Sequence, residues 1–407
     1  MITAAAPTHE LGNFQRFEID WTLLVITLVL ASFGLLMVGS ASMSVSEYLY
    51  NSPWTIVKNH GMYLLLGLGA SLVLFQVPMS LWQQYSWVLL AISVLLLLVV
   101  LVPGVGKRVN GSQRWLAWPV SIQVSEIAKF FLVIFFADYL SRFHIALKTS
   151  WRGFLPPFAI VCLVALLLLL EPDFGNTLVI ACTVFAMMFI AGAKLLQFSG
   201  LALMGAMAMA LIAIVTPYRM QRLVTFLDPW QDNFGSGYQL TQSLVAFGHG
   251  NWFGVGFGNS LQKLFYLPDA HTDFIFAIIA EEFGLVGALI VLALFALLVL
   301  RIFKLSRRAI LHRNYFIALA AFGIAFLIAM QALVNMGVAS GALPTKGLTL
   351  PFISYGGSSV IINCLLISFT LRMHWELLGQ PTAVQPSSIK SSAAKSFSTK
   401  QRVQHGR

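Results

Sequence analysis

The sequence predicts an all-α polytopic membrane protein with about ten spanning helices. Three observations predict it. The 407 residues are 58% hydrophobic and only 10% charged, whereas a soluble domain is about 25% charged. Apolar runs of about 20 residues recur, each long enough to cross the hydrocarbon core of a bilayer. Lys and Arg are spread unevenly over alternate connecting segments, as they are when basic loops orient a chain in a membrane.

The runs place spans near 21–41, 56–76, 85–102, 122–140, 154–170, 174–193, 196–216, 271–300, 315–338 and 349–373. Pro156 and Pro157 fall at the expected start of the fifth, and Glu171-Pro172-Asp173 breaks the fifth from the sixth. With the N-terminus inside, inner segments hold 16 of the basic residues and outer segments 8, with Lys129 in a span. That bias orients the chain N-in and C-in, and parity puts the large loop 217–270 outside. Residues 1–19 form a cytoplasmic segment without a short apolar region or cleavage site, so the first span is expected to stay as an anchor. Residues 20–378 form the membrane domain. Residues 379–407, rich in Ser, Lys, Ala and Gln, are expected to be a disordered basic cytoplasmic tail.

Several function classes drop out. The formal charge of +10 reads as basic inner loops and not as a nucleic-acid surface. Cys162, Cys182 and Cys364 all lie in apolar runs, which disfavours disulfide frameworks and thiolate metal sites. No Walker sequence or dinucleotide fingerprint supports nucleotide-driven transport.

Polar residues gather in the outer segments. Lys107, Arg108 and Arg114 run against the positive-inside trend beside Trp115. An anionic ligand outside the membrane explains them, as does headgroup contact. The loop 217–270 is too long for a simple connector. It carries many aromatic residues, five closely spaced glycines, and Arg219, Arg222, Gln239, Gln242 and His249. Asp273 then opens a long apolar helix. Its plain reading is an acid in a first turn, with Thr272 as cap; its chemical reading is a partly desolvated general base. Burial would raise its pKa and a nearby Arg would lower it.

Glu281 and Glu282 follow, Glu281 about 12 Å deeper than Asp273 along a helix. An unpaired carboxylate there is costly. Lys129 is the expected partner, giving a Lys129–Glu281 pair between the fourth and eighth spans, with Glu126 as local competitor. Asp173 is expected to cap the sixth span. The segment 343–359, broken by Pro344 and Pro351 and rich in small polar residues, is expected to form a site wall.

Five strings, at 123–129, 172–176, 237–246, 271–276 and 351–359, resemble in order and spacing those of the SEDS family (shape, elongation, division and sporulation). The resemblance covers about residues 20 to 378. The string at 343–349 looks more like the division member than the elongation member. Two positions depart from the pattern: Asp269 stands where the family has Glu, and Val124 where it has Pro.

The resemblance implies a peptidoglycan glycosyltransferase that polymerises lipid II at the outer face of the bacterial inner membrane, at the division septum. It implies a class B penicillin-binding protein, the division transpeptidase FtsI, as partner, with other divisome proteins. It places the essential carboxylate at Asp273 and a structural ion pair at Lys129 and Glu281. Arg114, Arg219, Arg222, Gln239, His249, Lys346 and Ser354 are the candidates for substrate contact. No ligand cluster with metal spacing is visible; a divalent cation, Mg or Mn, is the one cofactor considered. A lipid II flippase and a non-catalytic divisome scaffold are the alternatives.

Overall fold

The structure, a computed structural model, describes residues 19–379 except 110–111, 118–120, 195–198, 201–204, 206, 208–225, 233–234, 236 and 345–346. Its helices are α1 (Trp21–Tyr50), α2 (Thr55–Gln76), α3 (Met79–Gln84), α4 (Ser86–Leu101), α5 (Val124–Thr149), α6 (Trp151–Leu170) and α7 (Phe174–Ile190), followed by α8 (Tyr238–Gly250), α9 (Ile275–Leu311), α10 (Tyr315–Ala339) and α11 (Gly357–Leu378). Seven of them are long and apolar enough to cross a membrane, while α4 and α7 are shorter apolar helices. Nine expected spans fall on described helices. The one over 196–216 lies mostly outside the described residues, as do the N-terminal segment to residue 18 and the tail from 380.

Local chemistry sets the ends. Asp20 accepts from Leu23 N at 3.1 Å to cap α1, and Asn314 accepts from Ile317 N at 3.1 Å to cap α10. Each satisfies an otherwise orphaned first-turn donor. α6 begins at Trp151, so Pro156 and Pro157 sit inside it rather than at its start. Burial sorts the helices: 72% of the apolar window of α10 and 61% of that of α5 is buried, against 17% for α2. α5 and α10 are therefore inner helices, and α2 turns most of its surface outward.

The segment expected as a loop after α4 is a three-stranded antiparallel sheet: β1 (Gly106–Val109), β2 (Ser112–Ala117) and β3 (Ser121–Gln123). Trp115 pairs with both Lys107 and Gln123. β3 runs straight into α5. The N-termini of α2, α5, α7, α9 and α11 all lie at this sheet end of the bundle.

α9 is broken at Gly284, which has φ 68° and ψ −168°. The freed backbone groups are taken up by the segment after α8. Val255 N donates to Glu281 O and Gly256 N to Glu282 O, while Leu285 N and Val286 N donate to Asn251 O and Trp252 O. An interrupted spanning helix is tolerated when its polar groups are paired in this way. The fit depends on absent side chains: a Cβ on Gly254 (φ 80°) would overlap the Glu282 carbonyl, and one on Gly250 the Ala280 carbonyl. Gly254→Val is expected to destabilise the protein by about 2–4 kcal/mol through overlap and left-handed backbone strain. The unfolding midpoint in detergent checks this; an unchanged midpoint would mean that the segment does not sit against α9.

Candidate active site

The helix N-termini, the sheet and the segments before α9 and α11 enclose a cavity of about 790 Å³. Asp273, Asp269, Asp173, Glu126, Arg114, Gln123, Gln239, Tyr63, Trp115 and Tyr355 are among its lining residues. Asp273, Arg114 and Gln239 were expected at a site, and the fold brings them to one cavity.

Asp273 is not a cap. α9 begins at Ile275 after Phe274, with no side-chain cap bond, and no described donor bonds the Asp273 carboxylate. Its backbone is held instead: the buried Asn335 amide of α10 donates to Asp273 O at 2.8 Å and to Leu348 O at 2.6 Å. Burial pushes the Asp273 pKa up to about 7; the neighbouring Asp269 carboxylate adds to the rise and Arg114 opposes it. A carboxylate poised near neutrality is matched to taking a proton at physiological pH.

Arg114 projects from β2 and is fixed by backbone acceptors. Its Nε donates to Glu171 O at 3.2 Å, and its Nη2 donates to Pro172 O and to Ser112 Oγ. Nη1 lies 3.7 Å from Asp173 Oδ1. Asp173 caps α7 as expected, accepting from Asn176 N at 3.4 Å. Its other oxygen accepts from Ser125 Oγ at 3.0 Å and Asn176 Nδ2 at 2.9 Å. Glu171, in the turn between α6 and α7, is 0% exposed with both oxygens unbonded. Burial and the adjacent Asp173 push its pKa up to about 8, so at neutral pH it is mostly protonated and adds little negative charge.

The expected Lys129–Glu281 pair does not form. Lys129 Nζ bonds Glu126 Oε1 at 2.7 Å and Asn176 Oδ1 at 3.0 Å. α5 packs against α4, α6, α7 and α10, whereas α9 packs against α1, α8 and α10. Helix depth alone could not reveal that azimuth. Glu281 instead accepts from Ser260 Oγ, Leu261 N at 3.1 Å and Gln262 N at 3.3 Å, with His249 Nδ1 3.0 Å away. Glu282 takes Lys263 Nζ at 2.8 Å and Ser40 Oγ at 2.5 Å. Both carboxylates thus pin the segment 251–266 to α9. Sequence reasoning missed Lys263, because nothing local places a residue of a glycine-rich segment beside a helix.

Two of the residues expected at substrate hold protein partners. His249 is engaged with Glu281 and does not line the cavity. Ser354 is buried, donating to Thr272 O at 2.6 Å and accepting from Leu350 N at 2.8 Å; it ties the segment before α11 to the turn holding Asp273. Arg219, Arg222 and Lys346 lie outside the described residues. The sheet was also missed, although Asn110-Gly111 between residues of alternating character is a hairpin signal.

The architecture defines the class: a multi-pass helical membrane protein with a polar, carboxylate-rich cavity at one end of its bundle. Within that class the chain belongs to the FtsW, RodA and SpoVE family, whose model, described as "Cell cycle protein", matches residues 20–377. A relative from Saccharophagus degradans, named "Probable peptidoglycan glycosyltransferase FtsW", is 50% identical over 93% of this chain and 97% of its own length. One of the same name from Coxiella burnetii is 48% identical over 89% and 99%. Among solved structures, a chain from "Structural coordination of polymerization and crosslinking by a peptidoglycan synthase complex" has a TM-score of 0.72. It is 31% identical and covers 88% of this chain and 98% of its own. The rod shape determining protein RodA of Thermus thermophilus gives a TM-score of 0.66 at 28% identity, covering 88% and 96%.

Proposed function

We propose that this chain is a peptidoglycan glycosyltransferase that polymerises lipid II into glycan strands during cell division. The observation that carries the mechanism is Asp273: on the cavity wall, uncapped, fixed through its backbone and buried enough to titrate near neutrality. Relatives named peptidoglycan glycosyltransferase FtsW, and a neighbour drawn from a peptidoglycan synthase complex, support the activity. The chain works as ten helices, N-in and C-in, with the cavity at the outer face of the inner membrane at the septum. A class B penicillin-binding protein, FtsI, is its partner.

The donor is a sugar on a polyprenyl pyrophosphate, already a good leaving group, so a single base suffices where an ordinary glycosidase needs two carboxyl groups. Asp273 takes the proton of the acceptor sugar's 4-hydroxyl. The oxygen attacks the donor's anomeric carbon from the face opposite the leaving group, the new glycosidic bond forms with inversion, and the pyrophosphate departs. Arg114 faces that charge with a guanidinium preset by backbone acceptors. The uncapped first turn of α11, at Gly357–Ser359 on the cavity wall, adds backbone donors and the positive end of a helix dipole. Arg219, Arg222 and Lys346 are the further candidates for pyrophosphate. Among the described residues, no group of three or more His, Cys, Asp or Glu is placed to hold a metal ion, so no step is assigned to a protein-held cation.

A flippase would be expected to string charges through the membrane. Glu126, Lys129, Glu281 and Glu282 each have close local partners, which favours the polymerase reading.

The pH dependence follows in sign. The base acts deprotonated, and its pKa is raised to about 7. Polymerisation under saturating substrate is therefore expected to rise about tenfold from pH 6 to a plateau above pH 8. A rate already flat at pH 6 would show an ordinary carboxylate and count against Asp273 as the buried base.

A further inference from the structure

The base sits between two residues that do not themselves carry charge. Asn335, 1% exposed on α10, spends both amide hydrogens on backbone carbonyls, one at Asp273 and one at Leu348. These carbonyls belong to segments 75 residues apart in sequence, the turn before α9 and the stretch before α11. Gly347, adjacent to Leu348, lies against the carboxylate itself. A Cβ there would come within 2.6 Å of Asp273 Oδ2, inside any normal contact distance.

We infer that Asn335 and Gly347 are positioning residues for Asp273, Asn335 clamping its backbone to the segment before α11 and Gly347 leaving the space its carboxylate occupies. This rests on Asp273 being the base. The two act differently. Asn335 fixes the direction in which the Asp273 side chain leaves the main chain, so the carboxylate stays against the protein and not in open water. Gly347 is a fence without a side chain: any larger residue must push either the carboxylate or its own loop aside. Misplacing a base by about 1 Å costs about 100-fold in rate, so both positions bear on catalysis without touching the sugar. Ser354 lends the same junction a second tie, from Thr272 O to Leu350 N, but not at the base itself.

The test compares Asn335→Leu, Gly347→Ala, Asp273→Asn and a control, Gln331→Leu, one turn earlier on α10 and equally buried at 1% exposure. Each is assayed for lipid II polymerisation across pH 5–9 with its transpeptidase partner. Asn335→Leu and Gly347→Ala are expected to lose at least tenfold in kcat with KM within threefold. Asn335→Leu is also expected to move the acid limb of the profile at least half a pH unit lower, as the freed carboxylate regains water. Gln331→Leu keeps the wild-type limb. Gly347→Ala deletes no hydrogen bond, so it decides the matter should Asn335→Leu fail to fold. An unmoved limb in Asn335→Leu, or full kcat in Gly347→Ala, overturns the clamp while Asp273→Asn remains inactive. An active Asp273→Asn overturns the base reading itself.

Discussion

Asp273→Asn is expected to reduce lipid II polymerisation by about 10²–10⁴-fold, the usual contribution of a general base, while leaving the chain folded and bound to its transpeptidase. The substitution is nearly isosteric, and the bond that fixes this turn goes to the backbone carbonyl, which the variant keeps. Its effect on stability should run the other way. The folded pKa of Asp273 is raised from 3.8 to about 7, so ionising it opposes folding. That penalty is absent below about pH 4, grows through the interval, and is complete above pH 7. The Asn variant should therefore unfold at a higher temperature than wild type at pH 8, with the difference vanishing toward pH 4. Lost activity with gained stability marks a residue kept for chemistry. Loss of both together would return Asp273 to a structural role.

The second large effect lies away from the chemistry. Lys263→Met should destabilise the protein by about 3–5 kcal/mol, because it leaves a buried carboxylate without its cation. Glu282 is 1% exposed, and Ser40 would be its main hydrogen-bond partner after the change. The double variant Lys263→Met with Glu282→Gln should recover most of the loss, since the uncompensated charge is gone. Unfolding midpoints of the wild type and the two variants in detergent decide it. A double variant no better than the single would locate the effect in the packing of the lysine stem and not in the charge. Polymerisation should fall with the single variant as well, because the segment 251–266 leads into the turn that holds Asp269 and Asp273.

The parts of this protein that were legible in its sequence are those set by the bilayer. A run of about 20 apolar residues has few options other than spanning, and α1, α9 and α10 lie where their runs placed them. Asp173 was legible as a cap because capping is local. Asp273, which lines the cavity, was singled out through the family resemblance, because an acid before an apolar helix reads locally just as well as a first-turn charge on the helix dipole. The partners of Lys129 and Glu281 were not legible. Their depths matched, but the rotation of α5 and α9 within the bundle is fixed by packing that no local pattern encodes. The sequence also gives little sign that α9 breaks at Gly284. That break requires Gly250 and Gly254 from a distant segment to approach its backbone. The protein partners of His249 and Ser354 were not legible for a related reason: a polar residue near a site is as useful for holding the wall as for touching the substrate.

Joining of sugars in the cavity that holds Asp273 is the activity proposed for this chain. It is tested by polymerisation of lipid II by the purified wild-type chain with the class B penicillin-binding protein proposed as its partner, read as glycan strand length together with the anomeric configuration of the new linkages. Strands whose linkages are inverted relative to the donor are the expected product. Retained configuration would contradict the single-base mechanism. No strands at all, where a control polymerase makes them, would contradict the activity.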